Sequence, residues 1–209
     1  MNVIIFGATG SIGRIATRRM LDDGHTVTAF ARNPAALDID HPRLVLRAGD
    51  VMDPRSTSAA IEGMDAVVVT LGAGASRSSL VRSAGTMNVI RAMHEHGVRR
   101  LICQSTLGAH ESWANLDFFW KRIMFGLLLR PVHKDHERQE SLVRASGLDW
   151  TIVRPSAFTD APATGRYKEG FSAGERALSL KISRADIADF LKRQLTDRRY
   201  RQQAVAISN

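Results

Sequence analysis

The feature that most constrains this chain is a turn of spaced glycines near its start. Residues 3–6 form a short apolar run, which is typical of a buried parallel strand. Gly7, Gly10 and Gly13 follow at intervals of three residues, and a helical pattern begins at Ile12. Glycines let a backbone approach a pyrophosphate closely, and a helix N-terminus offers it unpaired N–H groups. The order of strand, G-x-x-G-x-x-G turn and helix therefore predicts a dinucleotide-binding site.

Apolar, β-branched runs recur along the chain with helical patterns between them. This alternation predicts a doubly wound α/β fold of the Rossmann type, a parallel sheet with helices on both faces. We find no internal repeat or linker in the 209 residues and expect a single domain over 1–209. The predicted strands are 3–6, 26–31, 44–46, 66–70, 101–105, 150–153 and 204–207, and the predicted helices after the first are 54–62, 79–96 and about 184–195.

The residue at the end of the second predicted strand bears on which dinucleotide is bound. In NAD enzymes an Asp or Glu about 20 residues beyond the glycine motif binds the ribose 2′-hydroxyl. This chain has Arg32 there, and a guanidinium suits a 2′-phosphate. We therefore expect NADPH/NADP+ rather than NADH. The alternative is that Arg32 is a solvated loop arginine.

Further cofactor contacts are expected just past other strand ends, where doubly wound sheets bind ligands. Asp50 can accept a hydrogen bond from the adenine amino group while Val51 packs on the ring, and the alternative for Asp50 is a cap before Pro54. Leu71 and Gly72 indicate backbone that runs close to the cofactor, or simply a flexible turn.

Composition narrows the class of protein. Hydrophobic residues make up 44% and charged residues 24% of the chain, as in soluble globular proteins. The single cysteine gives no disulfide framework, and the first residues read as a strand rather than a signal peptide, so we expect a cytoplasmic protein. The net charge of +8 comes without a long basic run, zinc-ligand spacing or RNA-binding motif. We therefore expect a phosphate-rich small ligand and neither nucleic acid nor a metal.

Eight motifs, in chain order, carry a resemblance to a known family. They are Gly7–Ala8–Thr9–Gly10–Ser11–Ile12–Gly13, Ala31–Arg32–Asn33, Gly49–Asp50–Val51, Leu71–Gly72, Cys103–Gln104–Ser105, Asp135–His136–Glu137–Arg138, Ser146–Gly147–Leu148 and Arg154–Pro155. Over nearly its whole length the chain resembles the atypical short-chain dehydrogenase/reductase group, and within it the flavin reductase/biliverdin-IXβ reductase branch. The resemblance implies an NADP-binding fold that transfers hydride to a planar acceptor, such as a flavin or a linear tetrapyrrole.

The resemblance also implies roles for individual residues. Two departures from it concern the substrate side, where a family arginine is replaced by Gly74 and a family histidine by Ala157. Substrate-site elements are expected at about 106–170. The resemblance places Thr9, Ser11 and Ile12 at the pyrophosphate, Arg32 at the 2′-phosphate, Ser105 beside the nicotinamide and His136 near the active site. The full set of expected cofactor-binding residues is Gly7, Thr9, Gly10, Ser11, Ile12, Gly13, Arg32, Asp50, Val51, Leu71, Gly72, Cys103 and Pro155.

The chain offers little acid–base chemistry of the usual kind. Many relatives use a Tyr-x-x-x-Lys pair as proton donor, but neither Tyr167 nor Tyr200 has a lysine four residues later. The expected catalytic residues are Ser105, which can orient the carboxamide, and His136, which can deliver a proton at neutral pH. The alternatives are a strand-end serine that caps backbone and a solvated histidine at a helix start. We expect Cys103 to be a small core residue rather than a nucleophile.

Residues 118–129 form an apolar stretch interrupted by Lys121 and Arg122 and too short to span a bilayer. Three interpretations stay open. The stretch is a core helix, a lid over an aromatic substrate, or a contact surface for a protein partner, a second copy or a membrane face.

Taken together, these features predict an NADPH-dependent reductase that passes hydride to a flavin, tetrapyrrole, quinone or other planar conjugated acceptor. The alternative is a redox sensor that binds NADP(H) without turnover and acts through a protein partner. A sugar-nucleotide- or ketone-modifying enzyme is a third possibility, which the missing Tyr–Lys pair argues against.

Overall fold

Strands and helices alternate along the chain in a computed structural model that describes residues 1–72, 74 and 80–209. The strands are β1 (Asn2–Phe6), β2 (Thr26–Ala31), β3 (Leu44–Ala48), β4 (Ala66–Val69), β5 (Arg100–Gln104), β6 (Asp149–Pro155), β7 (Ala157–Thr159), β8 (Lys168–Glu169), β9 (Lys181–Ser183) and β10 (Gln203–Ser208). The α-helices are α1 (Ser11–Asp22), α2 (Pro54–Ile61), α3 (Val81–Glu95), α4 (Arg130–Ala145) and α5 (Arg184–Arg193). Short 3₁₀ helices span Pro34–Leu37 and His110–Asn115, and a π-helix spans Phe119–Leu128.

The main sheet has eight strands in the order β3-β2-β1-β4-β5-β6-β10-β8. Its strand pairs are parallel except for β10 with β8, and β7 and β9 form a separate parallel pair. The chain leaves β1 towards β2 on one side and returns through β4 on the other. A crevice therefore opens between β1 and β4 at their carboxyl ends, the position where doubly wound sheets bind ligands.

The alternation of side chains along the central strand explains the layers. In β1, Val3 and Ile5 pack on one face of the sheet with α1 and α5, whereas Ile4 and Phe6 pack on the other with α2, α3 and α4. All four side chains are fully buried. Burial on both faces is why this strand reads as a continuous apolar run, and the predicted doubly wound α/β fold is confirmed.

Most predicted elements are present with shifted ends. The helix predicted over 79–96 is α3, and position 79 lies outside the described residues. Helix α4 and the short strands β7, β8 and β9 are additional elements that the sequence patterns do not predict. The antiparallel β8 is also an addition to the predicted all-parallel sheet.

Candidate functional site

A cavity of about 970 Å³ opens at the carboxyl ends of the central strands. It reaches from the glycine turn after β1 to the end of β6 and is closed on one side by the π-helix and α4. The expected site residues that line it are Gly7, Thr9, Gly10, Ser11, Ile12, Arg32, Asp50, Val51, Leu71, Gly72, Ser105 and His136.

The glycine turn has the backbone conformation that only glycine adopts easily. Gly7 has φ of 87°, and a Cβ on it would lie 2.6 Å from the carbonyl oxygen of Thr70. A Cβ on Gly13 would overlap the carbonyl oxygen of Gly7 and lie 2.9 Å from Thr70 Oγ1. Gly13 therefore allows α1 to pack against the turn, and it does not line the cavity itself.

The first turn of α1 is open to a ligand. Its N-cap is Gly10, which provides no side-chain hydrogen bond, and the first turn carries no acidic residue. The backbone N–H groups at this end and the helix dipole therefore form an anion-binding position beside Thr9 and Ser11.

Arg32 and Asp50 lie on the adjacent part of the cavity wall. The Arg32 side chain is exposed directly after β2, and no described residue forms a hydrogen bond or ion pair with its guanidinium. The Asp50 carboxylate accepts a hydrogen bond from the Met52 backbone N–H at 2.9 Å, so it supports a turn while lining the cavity. The cap of α2 is instead Asp53, which accepts from two backbone N–H groups of that helix.

Ser105 follows β5 with its hydroxyl free. The residue is 1% exposed, its N–H donates to the Val153 carbonyl at 2.7 Å, and its Oγ has no partner among the described residues. The hydroxyl therefore does not cap the strand end, and it lies in the wall of the cavity.

His136 lies in the middle of α4 and is 8% exposed, so the alternative of a solvated helix-start histidine is wrong. Burial lowers the pKa of this imidazole to about 3, and the positive charge of Arg82 adds to the effect. Because the ring is neutral at pH 7, the expectation that His136 delivers a proton at neutral pH is not supported.

Cys103 and Pro155 were expected near the cofactor, but neither lines the cavity. Cys103 is fully buried among apolar side chains under α4, and burial raises the pKa of its thiol far above the usual range. Cys103 is therefore a core residue, as its size and apolar character predict, and not a cofactor contact. Pro155 ends β6, where its carbonyl accepts from the Leu107 N–H at 2.8 Å.

Two arginines of the cavity wall were not assigned a role from the sequence. Arg184 begins α5, and its Nε donates to Ser11 Oγ at 3.2 Å while its Nη1 pairs with Asp160 Oδ1 at 2.6 Å. Arg82 lies in the first turn of α3, opposite the glycine turn. In the sequence, these two arginines differ from others only by their position at the start of a helix that follows a strand. Many surface arginines occupy such positions, so the pattern does not identify a site residue.

A buried ion pair fixes α4 beneath the cavity. Arg154 on β6 donates from Nε to Glu140 Oε1 at 2.9 Å and from Nη2 to Oε2 at 2.5 Å, and both side chains are nearly inaccessible. Glu111 adds a second carboxylate at 2.9 Å from Arg154 Nη1. Partial burial raises the pKa of Glu111, but hydrogen bonds from Arg154 and Arg144 outweigh it and hold this pKa well below its usual range, at about 2.

The part of the cavity next to the π-helix is apolar and aromatic. Trp120 and Phe125 of the π-helix line it, together with Leu116 and Leu129. The other face of the stretch is open, with Phe118 73% exposed and Leu127 71% exposed. The core-helix interpretation of 118–129 is therefore wrong for most of the stretch. A protein or dimer contact through its outer face stays a prediction.

Two further positions complete the substrate side. Gly74 and Ala157, which replace the arginine and histidine implied by the resemblance, both line the cavity. Neither Tyr167 nor Tyr200 lines the cavity, because both pack around Phe190 on the face of the sheet that α1 and α5 cover.

Among the described helices, none combines the length and the apolar character needed to cross a membrane.

Comparison with known proteins agrees with this geometry. A model of the NAD(P)H-binding family matches residues 7–198. The uncharacterized sugar epimerase YhfK of Bacillus subtilis is 30% identical over 198 residues, which are 90% of this chain and 85% of that protein. Other relatives are longer, and the chain spans between 12% and 58% of their length.

Solved structures share the fold. A wide-type short-chain dehydrogenase/reductase from Veillonella parvula in complex with NADP has a TM-score of 0.84 at 18% identity, over 100% of this chain and 94% of that one. The anaerobillin reductase ChuY of Escherichia coli O157:H7 has a TM-score of 0.79 at 22% identity, over 100% and 97% of the two chains. These structures share the fold of the chain, and the match to the family model over residues 7–198 shows that the chain belongs to the NAD(P)H-binding family.

Proposed function

We propose that this protein is an NADPH-dependent reductase that passes hydride to a planar conjugated acceptor such as a flavin, a tetrapyrrole or a quinone. The observation that carries the proposal is the division of one cavity into two halves. One half combines the open N-terminus of α1 with Arg32, and the other combines a free Ser105 hydroxyl with the aromatic wall of Trp120 and Phe125.

The residues of the first half fit NADPH. The uncapped N–H groups of α1 suit the pyrophosphate, and Arg184 at Ser11 adds a positive charge there. The unpaired guanidinium of Arg32 suits the 2′-phosphate, where it can form charge-assisted hydrogen bonds. The Veillonella parvula short-chain dehydrogenase/reductase of the same fold has been solved with NADP, which supports this choice of dinucleotide.

The residues of the second half support positioning rather than acid–base catalysis. Bound NADPH supplies the hydride. Ser105 is placed to hold the carboxamide by a hydrogen bond, while Trp120 and Phe125 stack on a flat acceptor and exclude water. No tyrosine lines the cavity, and His136 is neutral at pH 7, so we infer that a reduced acceptor takes its proton from water.

The relatives support this class unevenly. ChuY is described as a reductase of anaerobillin, and its fold covers the whole of this chain. YhfK is described as an uncharacterized sugar epimerase. An epimerase that uses the Tyr–Lys pair needs a tyrosine at the nicotinamide, and Tyr167 and Tyr200 lie elsewhere, which favours reduction of a conjugated acceptor.

The test is oxidation of NADPH in the presence of FMN, riboflavin, biliverdin and a soluble quinone, followed by the loss of reduced-nicotinamide absorbance. We expect turnover with at least one acceptor, faster with NADPH than with NADH, and slowed by Ser105→Ala. Tight binding of NADPH without oxidation above background by any acceptor would contradict the reductase. That result would favour the redox sensor, whose partner contact would then be sought at 118–129.

A further inference from the structure

The charges around the cavity are unevenly matched. Among the described residues that line it, Arg32, Arg82 and Arg184 are basic and Asp50 alone is acidic. Arg32 follows β2 and Arg184 contacts Ser11 at the glycine turn, so both lie where the phosphates of a dinucleotide are expected. Arg82 lies on the opposite wall, and neither expected phosphate position accounts for it.

Two nitrogens of the Arg82 guanidinium are buried without hydrogen-bond partners among the described residues. Its Nε and Nη1 atoms are inaccessible to solvent and form no hydrogen bond with any described residue. The nearest carboxylate oxygen is Asp135 Oδ2, at 3.9 Å from Nη1. That distance is too long for a hydrogen bond.

The Asp135 carboxylate forms its hydrogen bonds with other groups. It accepts from the backbone N–H of Arg82 and of Ser83, both at 3.2 Å, and from Ser83 Oγ at 2.5 Å. It therefore caps the N-terminus of α3 and offsets the Arg82 charge without satisfying its donors. The pKa of Arg82 is lowered because burial outweighs the attraction of Asp135.

Other free polar atoms share the wall with Arg82. Ser105 Oγ, Ser156 Oγ and His136 Nδ1 are buried and have no hydrogen-bond partner among the described residues. Buried polar atoms without partners are rare in proteins, and several of them around one cavity indicate a polar ligand. The aromatic wall of Trp120 and Phe125 beside them suits a ligand whose remaining part is flat and apolar.

We propose that Arg82 binds the carboxylate or phosphate group of an acidic acceptor, and so selects acidic acceptors over neutral ones. The proposal rests on the reductase function, because it assigns the Arg82 side of the cavity to the acceptor. A guanidinium presents a rigid fork of N–H donors that matches either anion.

The experiment compares matched acidic and neutral ligands by binding, so it does not depend on turnover. Biliverdin and its dimethyl ester, and FMN and riboflavin, are titrated into the NADP+-saturated protein and followed by difference absorbance. We expect Arg82→Met and Arg82→Gln to weaken binding of the acidic member at least tenfold and to change that of the neutral member less than twofold. Arg91, exposed on the same helix and outside the cavity, provides the control variant Arg91→Met.

Three results would overturn the proposal. Equal losses for the acidic and neutral members would assign Arg82 a structural role. A weaker NADPH complex in the Arg82 variants would assign it to a cofactor phosphate. Failure of the unaltered protein to bind either acid would remove the subsite. If the unaltered protein binds an acid but oxidises NADPH with none of the acceptors tested, the reductase function fails, whereas selective loss of acid binding in the Arg82 variants still supports the subsite.

Discussion

Arg32→Ala is the substitution that best tests the dinucleotide half of the cavity. The side chain is exposed directly after β2, lines the cavity and has no hydrogen-bond or ion-pair partner among the described residues. Its removal therefore takes away a ligand contact without breaking an internal one. The folded structure should be unchanged, and only the affinity for a 2′-phosphate should fall.

The expected magnitude follows from the exposure of this residue. Hydrogen bonds to charged groups contribute about 1.5–3 kcal/mol, whereas fully exposed ion pairs contribute roughly 0.2–1 kcal/mol. Arg32 lies at the rim of the cavity, between these two cases, so we expect a loss of about 1–2 kcal/mol. This corresponds to a roughly 5- to 30-fold higher Kd for NADPH. NADH lacks the 2′-phosphate, and its Kd should change by less than about twofold.

The assay is a fluorescence titration of NADPH and NADH against three proteins, namely the unaltered chain, Arg32→Ala and Arg47→Ala. Arg47 is exposed on the neighbouring strand β3 and does not line the cavity, so its variant loses the same charge without the contact. Equal weakening of NADPH and NADH by Arg32→Ala would refute the 2′-phosphate assignment. Equal effects of the two variants on NADPH would reduce the role of Arg32 to general electrostatic attraction, which salt screens.

Three further predictions concern the scaffold of the site and are measured by urea unfolding. Gly13→Ala should lower the free energy of unfolding by about 1–3 kcal/mol, because the added Cβ would overlap the backbone of the glycine turn. Gly72→Ala should leave it almost unchanged, because the space around its Cβ is open. Equal losses in the two variants would contradict the close packing at Gly13. Glu140→Gln should lower the free energy of unfolding by about 3 kcal/mol, because it leaves the buried charge of Arg154 underpaired. The double variant that also carries Arg154→Met should recover part of this loss. A loss of only about 0.2–1 kcal/mol, as for an exposed ion pair, would contradict the prediction. His136 has its pKa lowered from 6.5 to about 3, so the unfolded chain takes up a proton first and stability falls as the pH drops through this range. His136→Gln should abolish about 2 kcal/mol of the loss between pH 7 and pH 5, and an unchanged loss would show that another group causes it.

The glycine turn and the central strands were predictable because their determinants are local. Residues 3–6 are apolar since both faces of β1 are covered, and Gly7 and Gly13 are required by contacts with the neighbouring turn and strand end. The position of Arg32 was also predictable from a local pattern, because this residue directly follows the apolar run of β2. Short-range patterns therefore predicted the fold class and the glycine-turn side of the cavity, to which we assign the dinucleotide.

The helix α4 escaped prediction because its buried face is polar. Asp135, His136, Gln139 and Glu140 are all buried, so the apolar periodicity that indicates a helix is missing. Their partners are distant in the sequence, as when Gln139 Nε2 donates to Thr86 Oγ1 at 3.0 Å. Hydrogen bonds of this kind form only in the assembled fold, so no local sequence pattern predicts them.

The polar face of α4 also connects the core to the part of the cavity that we assign to the acceptor. Glu140 binds Arg154 of β6, His136 faces the cavity, and Asp135 caps the helix that carries Arg82. Asp135, His136 and Glu140 are buried on the same helix, so a shift of α4 would move the His136 ring together with the carboxylate that caps α3. The buried Glu140–Arg154 pair opposes such a shift, because it joins α4 to β6. The buried polar residues of α4 thus either hold a neighbouring element, as Asp135, Gln139 and Glu140 do, or line the cavity, as His136 does.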